Sequence, residues 1–155
     1  MYAACQDAEI QRWIPAIPRP YTRDDARAFV AGDHGLGPHQ YAVVEHDEVV
    51  GSIGMVVDRG NARAQIGYWC APHARGRGIT SNALRRLCKY GFEELNLQRL
   101  ELIADPENEG SQRVAAAVGF RREGVLRSHV RHPDGHRRDS VMFSLLPGEL
   151  AQSAK

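Results

Sequence analysis

The 155-residue chain lacks a disulfide framework, a membrane-length apolar run and a large net charge, and each absence removes a class of protein. Its three cysteines, Cys5, Cys70 and Cys88, are odd in number and without paired spacing. That fits reduced thiols packed as small hydrophobes in a cytoplasm better than a secreted scaffold. No stretch approaches the roughly 20 apolar residues of a spanning helix, and the N-terminus has no basic segment followed by an apolar run, so neither membrane insertion nor export is expected. Twenty Lys+Arg against nineteen Asp+Glu leave a formal charge of +1. No global field therefore favours nucleic acid, and any anion has to be held by a local arrangement. Hydrophobic residues at 43% and charged residues at 25% exclude a disordered chain. With no linker and no internal repeat, residues 1–155 are expected to form one domain around one core.

What is present alternates between strand and helix signals. Residues from Met1 to Trp13 suit a helix that stops before Pro15, Pro18 and Pro20. Thr22 with Asp24 and Asp25 starts a second helix, with Ala26, Phe29 and Val30 as its apolar face and Gly32 near its end. Tyr41 to Glu45 and Val49 to Val57 form a hairpin across His46-Asp47-Glu48, and Ala64 to Trp69 supply a third strand after the Asp58-Arg59-Gly60-Asn61 break. Ala83, Leu84, Leu87, Tyr90, Gly91 and Leu95 recur at helical spacing. Leu100 to Ile103 make a short strand ending at Asp105-Pro106, and Val114 to Val118 a helix closed by Gly119. Gly124 to Val130 and Ser140 to Leu145 form a terminal hairpin through His132-Pro133-Asp134-Gly135, and Gly148 to Lys155 read as a frayed polar tail.

Between the third strand and the long helix lies Arg75-Gly76-Arg77-Gly78-Ile79-Thr80. Backbone N–H groups at a helix N-terminus have no intrahelical partner and can converge on an anion. Glycine at 76 and 78 lets the chain turn tightly and approach a pyrophosphate, and Arg75 and Arg77 can add charge-assisted hydrogen bonds. The turn lacks the Lys-Ser/Thr pair of a nucleotide-hydrolysing phosphate loop and the three glycines of a dinucleotide fingerprint, which disfavours ATP and NAD. By itself it also fits a basic surface loop.

The context narrows this. The stretch Ile66-Gly67-Tyr68-Trp69-Cys70-Ala71-Pro72-His73-Ala74-Arg75-Gly76-Arg77-Gly78-Ile79 is followed by the long helix, then Asp105-Pro106-Glu107-Asn108-Glu109-Gly110-Ser111, then Val118-Gly119-Phe120. In order and spacing, from about Val49 to Leu145, this resembles the GNAT superfamily of N-acetyltransferases, and within it the branch that acetylates the N-termini of ribosomal proteins. The resemblance implies a mixed α/β domain of α+β type: a central, mostly antiparallel sheet flanked by helices. It also implies acetyl-CoA as the acyl donor and direct transfer to an amine, either a protein N-terminus or a small molecule such as an antibiotic, polyamine or amino acid. A CoA-binding sensor without turnover is the competing class.

Carried over by position, Arg75, Gly76, Arg77, Gly78, Ile79 and Thr80 match the loop that receives the CoA pyrophosphate. Thr80 stands where many members have Gly or Ala. Tyr68, Trp69 and Cys70 match the strand whose backbone pairs with the pantetheine arm; as strand aromatics, Tyr68 and Trp69 equally suit the core. Asn108 matches a contact to the CoA arm and Ser111 the hydroxyl that protonates the departing thiolate, while either also suits a helix cap. The Tyr that many members use one turn later is Ala115 here. Asp58 falls where the ribosomal branch carries an acidic residue proposed as base, though Asp58-Arg59-Gly60-Asn61 is also a good turn; Glu45 and Glu101 are the other candidates. The usual first strand is absent from the pattern. Either the natural start lies upstream of Met1, or an edge of the sheet is left for something to protect, such as a second subunit. His129, His132 and His136 match no common zinc spacing, so no metal is expected, and Arg131, Arg137 and Arg138 read as a solvated turn or as a greeting for an acidic substrate.

Overall fold

A computed structural model describes residues 1–151. Helix α1 (Ala8–Trp13) and helix α2 (Arg23–Ala31) precede strands β1 (Gln40–Glu45), β2 (Glu48–Asp58) and β3 (Arg63–Cys70). Helix α3 (Ile79–Glu93), strand β4 (Arg99–Ala104), helix α4 (Glu109–Val118) and strands β5 (Arg121–Arg131) and β6 (Arg137–Leu145) complete the chain. The six strands form one sheet in the order β1-β2-β3-β4-β6-β5. Every pair is antiparallel except β3 with β4, which the α3 crossover joins in parallel. This is the mixed, mostly antiparallel sheet with flanking helices expected from the sequence.

Local chemistry sets the element ends. The β1–β2 hairpin turns on His46 and Asp47, both at positive φ (48° and 64°), the geometry that a two-residue turn needs to match strand twist. Thr22 and Asp25 form a reciprocal capping box at the start of α2. The expected N-terminal helix is split: a 3-10 turn at Ala4–Gln6 gives way to α1 because the Asp7 side chain accepts from the Ile10 N–H and caps a new start. Helix α2 buries none of its residues, and Val30 is 75% exposed.

The core lies on the face of the sheet that α3 and α4 cover. Alternate residues Met55, Ile66, Leu100, Leu102, Phe143 and Leu145 meet Leu84, Leu87 and Cys88 of α3 and Ala115 and Val118 of α4. Fully burying each such Leu contributes about 1.5–3 kcal/mol, which fixes both helices against the middle strands. The segment after β6 is not frayed as far as Ala151. The Ala151 N–H donates to Val118 O, Leu150 packs on the core, and Glu149 pairs with Arg121. Gln152 to Lys155, the rest of the expected tail, lie outside the described residues. Among the described residues no strand precedes α1, so β1 forms one edge of the sheet, with Tyr41 and Val44 exposed.

Candidate active site

The parallel ladder between β3 and β4 runs only from Arg63↔Arg99 to Ile66↔Leu102. β3 continues to Cys70, held on its other side by β2 through Gly51↔Cys70, and β4 continues to Ala104 against β6. The sheet therefore forks after Ile66, and the backbone of Gly67, Tyr68, Trp69 and Cys70 has no strand partner on the β4 side. Main-chain N–H and C=O groups require partners, so an extended amide-bearing ligand fits this arm as an added strand.

At the open end of β3 the chain turns into α3. Gly76 and Gly78 have φ of 75° and 74°, and a Cβ at either would meet nothing within 4 Å. Space is thus left on the side where a ligand approaches. Gly78 is the N-cap of α3, no side chain caps the helix, and its first turn holds no acidic residue. The N–H groups of Ile79 and Thr80 head an uncapped 15-residue helix, an arrangement that suits an anion.

The two arginines of the turn differ from expectation. The Arg75 guanidinium is taken by Asp7 (2.7 Å) and Glu9 of the α1 region, and its Nε donates to Cys70 O. Arg77 pairs with Glu45 at 2.7 Å. Both charges are committed to carboxylates that the fold brings alongside, so the turn offers an anion chiefly its amides. Arg75 locks the turn to α1, and Arg77 locks it to β1.

Across the fork, Asn108 caps α4, its Oδ1 accepting from the Ser111 N–H at 3.0 Å. Ser111 sits in the first turn of that helix. The Tyr68 hydroxyl lies 2.9 Å from Ser111 Oγ and 3.2 Å from Ser111 O. Burial pushes the Tyr68 phenol up to about 12, against the opposing effect of the Ser111 hydrogen bond. At neutral pH it carries its proton and can donate. When the phenol donates to Oγ, the single Ser111 proton is left free for another acceptor. Tyr68 also packs on the core, as its place among strand aromatics leads one to expect.

The carboxylates are placed elsewhere. Asp58 pairs with Arg63, five residues before Tyr68 and so about 17 Å from it along the strand. Asp58 accepts from Asn61 N (3.2 Å), Asn61 Nδ2 (2.7 Å) and Arg63 Nε (3.2 Å), and these hydrogen bonds hold its carboxyl below the usual range. The structure gives Asp58 the work of a turn former and does not bring it to Ser111. Glu45 is bound by Arg77, and Glu101, only 8% exposed, is bound by Arg99 (2.7 Å) and Arg63 (3.3 Å).

A cavity of about 850 Å³ opens between α1, the turn after β4 and the β5–β6 hairpin. Its wall includes Asp105, Pro106 and Glu107, directly before Asn108. It is not legible in the sequence, because its walls come from three separate segments, around residues 8–19, 105–107 and 132–139. Among the described residues no group of three or more His, Cys, Asp or Glu is arranged to hold a metal ion, and no helix is long and apolar enough to cross a membrane.

A forked sheet, an uncapped helix behind a glycine turn and a hydroxyl across the fork suit an acyl-CoA-dependent transferase, and the chain belongs to the GNAT acetyltransferase family, whose domain matches residues 1–121. Its reaction class is N-acetyl transfer. Among relatives, it is 41% identical over 110 residues to the uncharacterized N-acetyltransferase p20 of Bacillus licheniformis, covering 70% of this chain and 61% of that protein. It is 41% identical over 147 residues to YdaF of Bacillus subtilis, a candidate ribosomal N-acetyltransferase, covering 89% of this chain and 78% of that protein. It is 34% identical over 113 residues to the spermidine N(1)-acetyltransferase of Escherichia coli K12, covering 72% and 60%. The solved structure of Mycobacterium smegmatis RimJ in complex with CoA-disulfide superposes with a TM-score of 0.79 at 30% identity, covering 98% of this chain and 77% of that one.

Proposed function

We propose that this N-acetyltransferase is a cytoplasmic enzyme that uses acetyl-CoA and acetylates the α-amine of a protein N-terminus, with ribosomal proteins as the first acceptors to test. The observation that carries the reading is the Tyr68–Ser111 hydroxyl pair across a forked, uncapped cofactor-type cleft. The residues fit acetyl-CoA. The turn from Arg75 to Thr80 would hold the diphosphate on its amides, the open backbone of Tyr68, Trp69 and Cys70 would pair with the pantetheine arm, and Asn108 borders that arm. When bound, acetyl-CoA supplies the acetyl group and a thiol leaving group. Ser111, with its proton directed by Tyr68, gives that proton to the departing sulfur. Proton transfer from a well-placed general acid contributes about 10²–10⁴ in rate.

The ribosomal acceptor is supported by the 41% identity to YdaF. The match to a spermidine acetyltransferase supports a second acceptor class, a small polyamine. Release of free CoA, read with a thiol reagent across N-terminal peptides and small amines, decides between them. Turnover on peptides alone supports the first class, and turnover on amines alone replaces it with the second. CoA binding without turnover on any acceptor points to a sensor. The open β1 edge, with exposed Tyr41 and Val44, supports a homodimer paired along that strand; light scattering that gives the monomer mass at all concentrations removes it.

A further inference from the structure

Helix α1 lies across the mouth of the fork. Its first turn is tied to the end of β3: the Arg75 guanidinium donates to Oδ1 of Asp7 at 2.7 Å and to Glu9, while its Nε donates to Cys70 O, the last carbonyl of the open arm, at 3.2 Å. Its last turn is tied to the chain just past β4. Arg12 pairs with Glu107, and Arg138, which pairs with Asp105, also donates to Trp13 O at 3.3 Å. Asp105 directly follows Ala104, where β4 ends, and Glu107 directly precedes Asn108, the cap of the helix that carries Ser111. One short helix thus joins the two arms that the ladder leaves apart after Ile66.

A helix of six residues has too few internal hydrogen bonds to hold itself. Of α1 only Ile10 is buried, so the position of the helix depends on the ties at its ends. Ala8, Gln11 and Arg12, at the i, i+3, i+4 spacing of helix neighbours, line the cavity of about 850 Å³. Arg75 suits the tie to β3 because it meets three acceptors from one rigid plane, which a lysine lacks. It is also the residue before Gly76. A Cβ at Gly76 or Gly78 would meet nothing within 4 Å, so the turn has latitude until a ligand fills it.

We infer that Arg75 is a positioning residue for the transfer: by holding α1 across the fork it makes the cavity wall follow the cofactor turn, so that CoA in the turn fixes the wall against which the acceptor amine is held. The inference rests on the CoA reading above. Filling the turn restricts Arg75, Arg75 restrains Asp7 and Glu9, and α1 is ordered before the amine arrives. The amine then has less to order and binds the CoA complex more tightly than the free protein. By reciprocity the amine tightens CoA by the same factor.

The test leaves Arg75 and the turn untouched and discharges its two partners. Asn caps a helix as well as Asp does, so Asp7→Asn/Glu9→Gln keeps the cap of α1 and removes the ion pairs. Amide exchange is read on the full chain with and without CoA. In wild type, CoA should slow exchange of the Gln11 and Ile14 N–H groups, which donate to Asp7 O and Ile10 O, by a factor of about 5 or more. In the double variant CoA should still bind and the slowing should be lost. For an amine that the chain turns over, CoA should raise its affinity about 5-fold or more in wild type and not in the variant, whose KM for the amine rises by that factor with kcat little changed. A merely structural role for the pairs would lower Tm and leave this dependence on CoA in place.

Exchange in α1 that CoA leaves unchanged in wild type, or slows equally in the double variant, overturns the inference and leaves the CoA reading intact. A variant that binds CoA more tightly with the coupling kept also overturns it, because Arg75 is then an anion ligand that Asp7 and Glu9 hold in reserve. Wild type that binds no CoA takes both down together.

Discussion

The Tyr68 hydroxyl lies 2.9 Å from Oγ of Ser111, joining the open arm of β3 to the first turn of α4 across 43 positions of sequence. Tyr68 can act on the reaction only through Ser111, so the two substitutions should not be additive. Ser111→Ala should lower kcat by about 10²-fold with KM for acetyl-CoA nearly unchanged. Tyr68→Phe keeps the ring in the core and should lower kcat about tenfold, on the scale of one hydrogen bond of about 1.4 kcal/mol. In Tyr68→Phe/Ser111→Ala the second change should cost almost nothing more. Steady-state kinetics on the four proteins measure the coupling, and full additivity would separate Tyr68 from the acid.

Gly78 caps α3 at φ 74°, and a Cβ there meets nothing within 4 Å, so the cost of a side chain is conformational. Gly78→Ala should destabilise the fold by about 1–2 kcal/mol and weaken CoA binding, because it strains the turn whose amides are proposed to hold the diphosphate. Gly60, at ordinary φ in the β2–β3 turn, is the control. Titration of CoA by calorimetry should show a loss for Gly78→Ala and none for Gly60→Ala.

The Arg99–Glu123 pair provides a pH signature. Glu123 accepts two hydrogen bonds from Arg99, at 2.8 and 2.6 Å, and one from Ser144 at 2.6 Å, which bring its carboxyl down from the ordinary 4.5 to about 2. A group depressed in the folded state stabilises above its unfolded pKa and ceases to do so as pH falls through the folded one. The Tm gap between wild type and Glu123→Gln should be full at pH 7, shrink between 4.5 and 2, and vanish below. A gap constant with pH would assign the loss to packing instead of charge.

The parts of this fold that local chemistry determines were legible in the chain. The His46-Asp47 turn, the Thr22 cap, the period of α3 and the Asp134-Gly135 hairpin each depend on neighbours within four residues. The CoA-type turn was legible for the same reason, since φ > 0 at Gly76 and Gly78 is a property of the glycines themselves. What required the fold was every contact between distant segments: Arg75 with Asp7 and Glu9, Ser111 with Tyr68, the end of the β3–β4 ladder, and the cavity behind Asp105. Asp58 shows the limit most directly. Spacing aligns it with a base, whereas the register that sets it beside Arg63, at the opposite end of β3 from the fork, and its three hydrogen bonds in the turn are visible only in the fold.

Gly51 and Gly54 of β2 separate a requirement for glycine from its mere presence. A Cβ at Gly51 would lie 2.7 Å from the carbonyl oxygen of Trp69. That atom belongs to the backbone of the fork's open arm, so relief requires β3 to move. At Gly54 the obstruction is nearer, 1.9 Å, but it is the Gln40 side-chain oxygen, which can rotate away at the loss of two weak 3.4 Å hydrogen bonds. Gly51→Ala should therefore lower stability by about 1–3 kcal/mol and also weaken CoA binding, because the strand that shifts is the one expected to pair with the pantetheine arm. Gly54→Ala should lower stability by no more than about 1 kcal/mol and leave CoA binding unchanged. Urea melts with CoA titrations on both variants test this, and a Gly51→Ala protein that binds CoA like wild type would show that the open arm of β3 does not hold the cofactor.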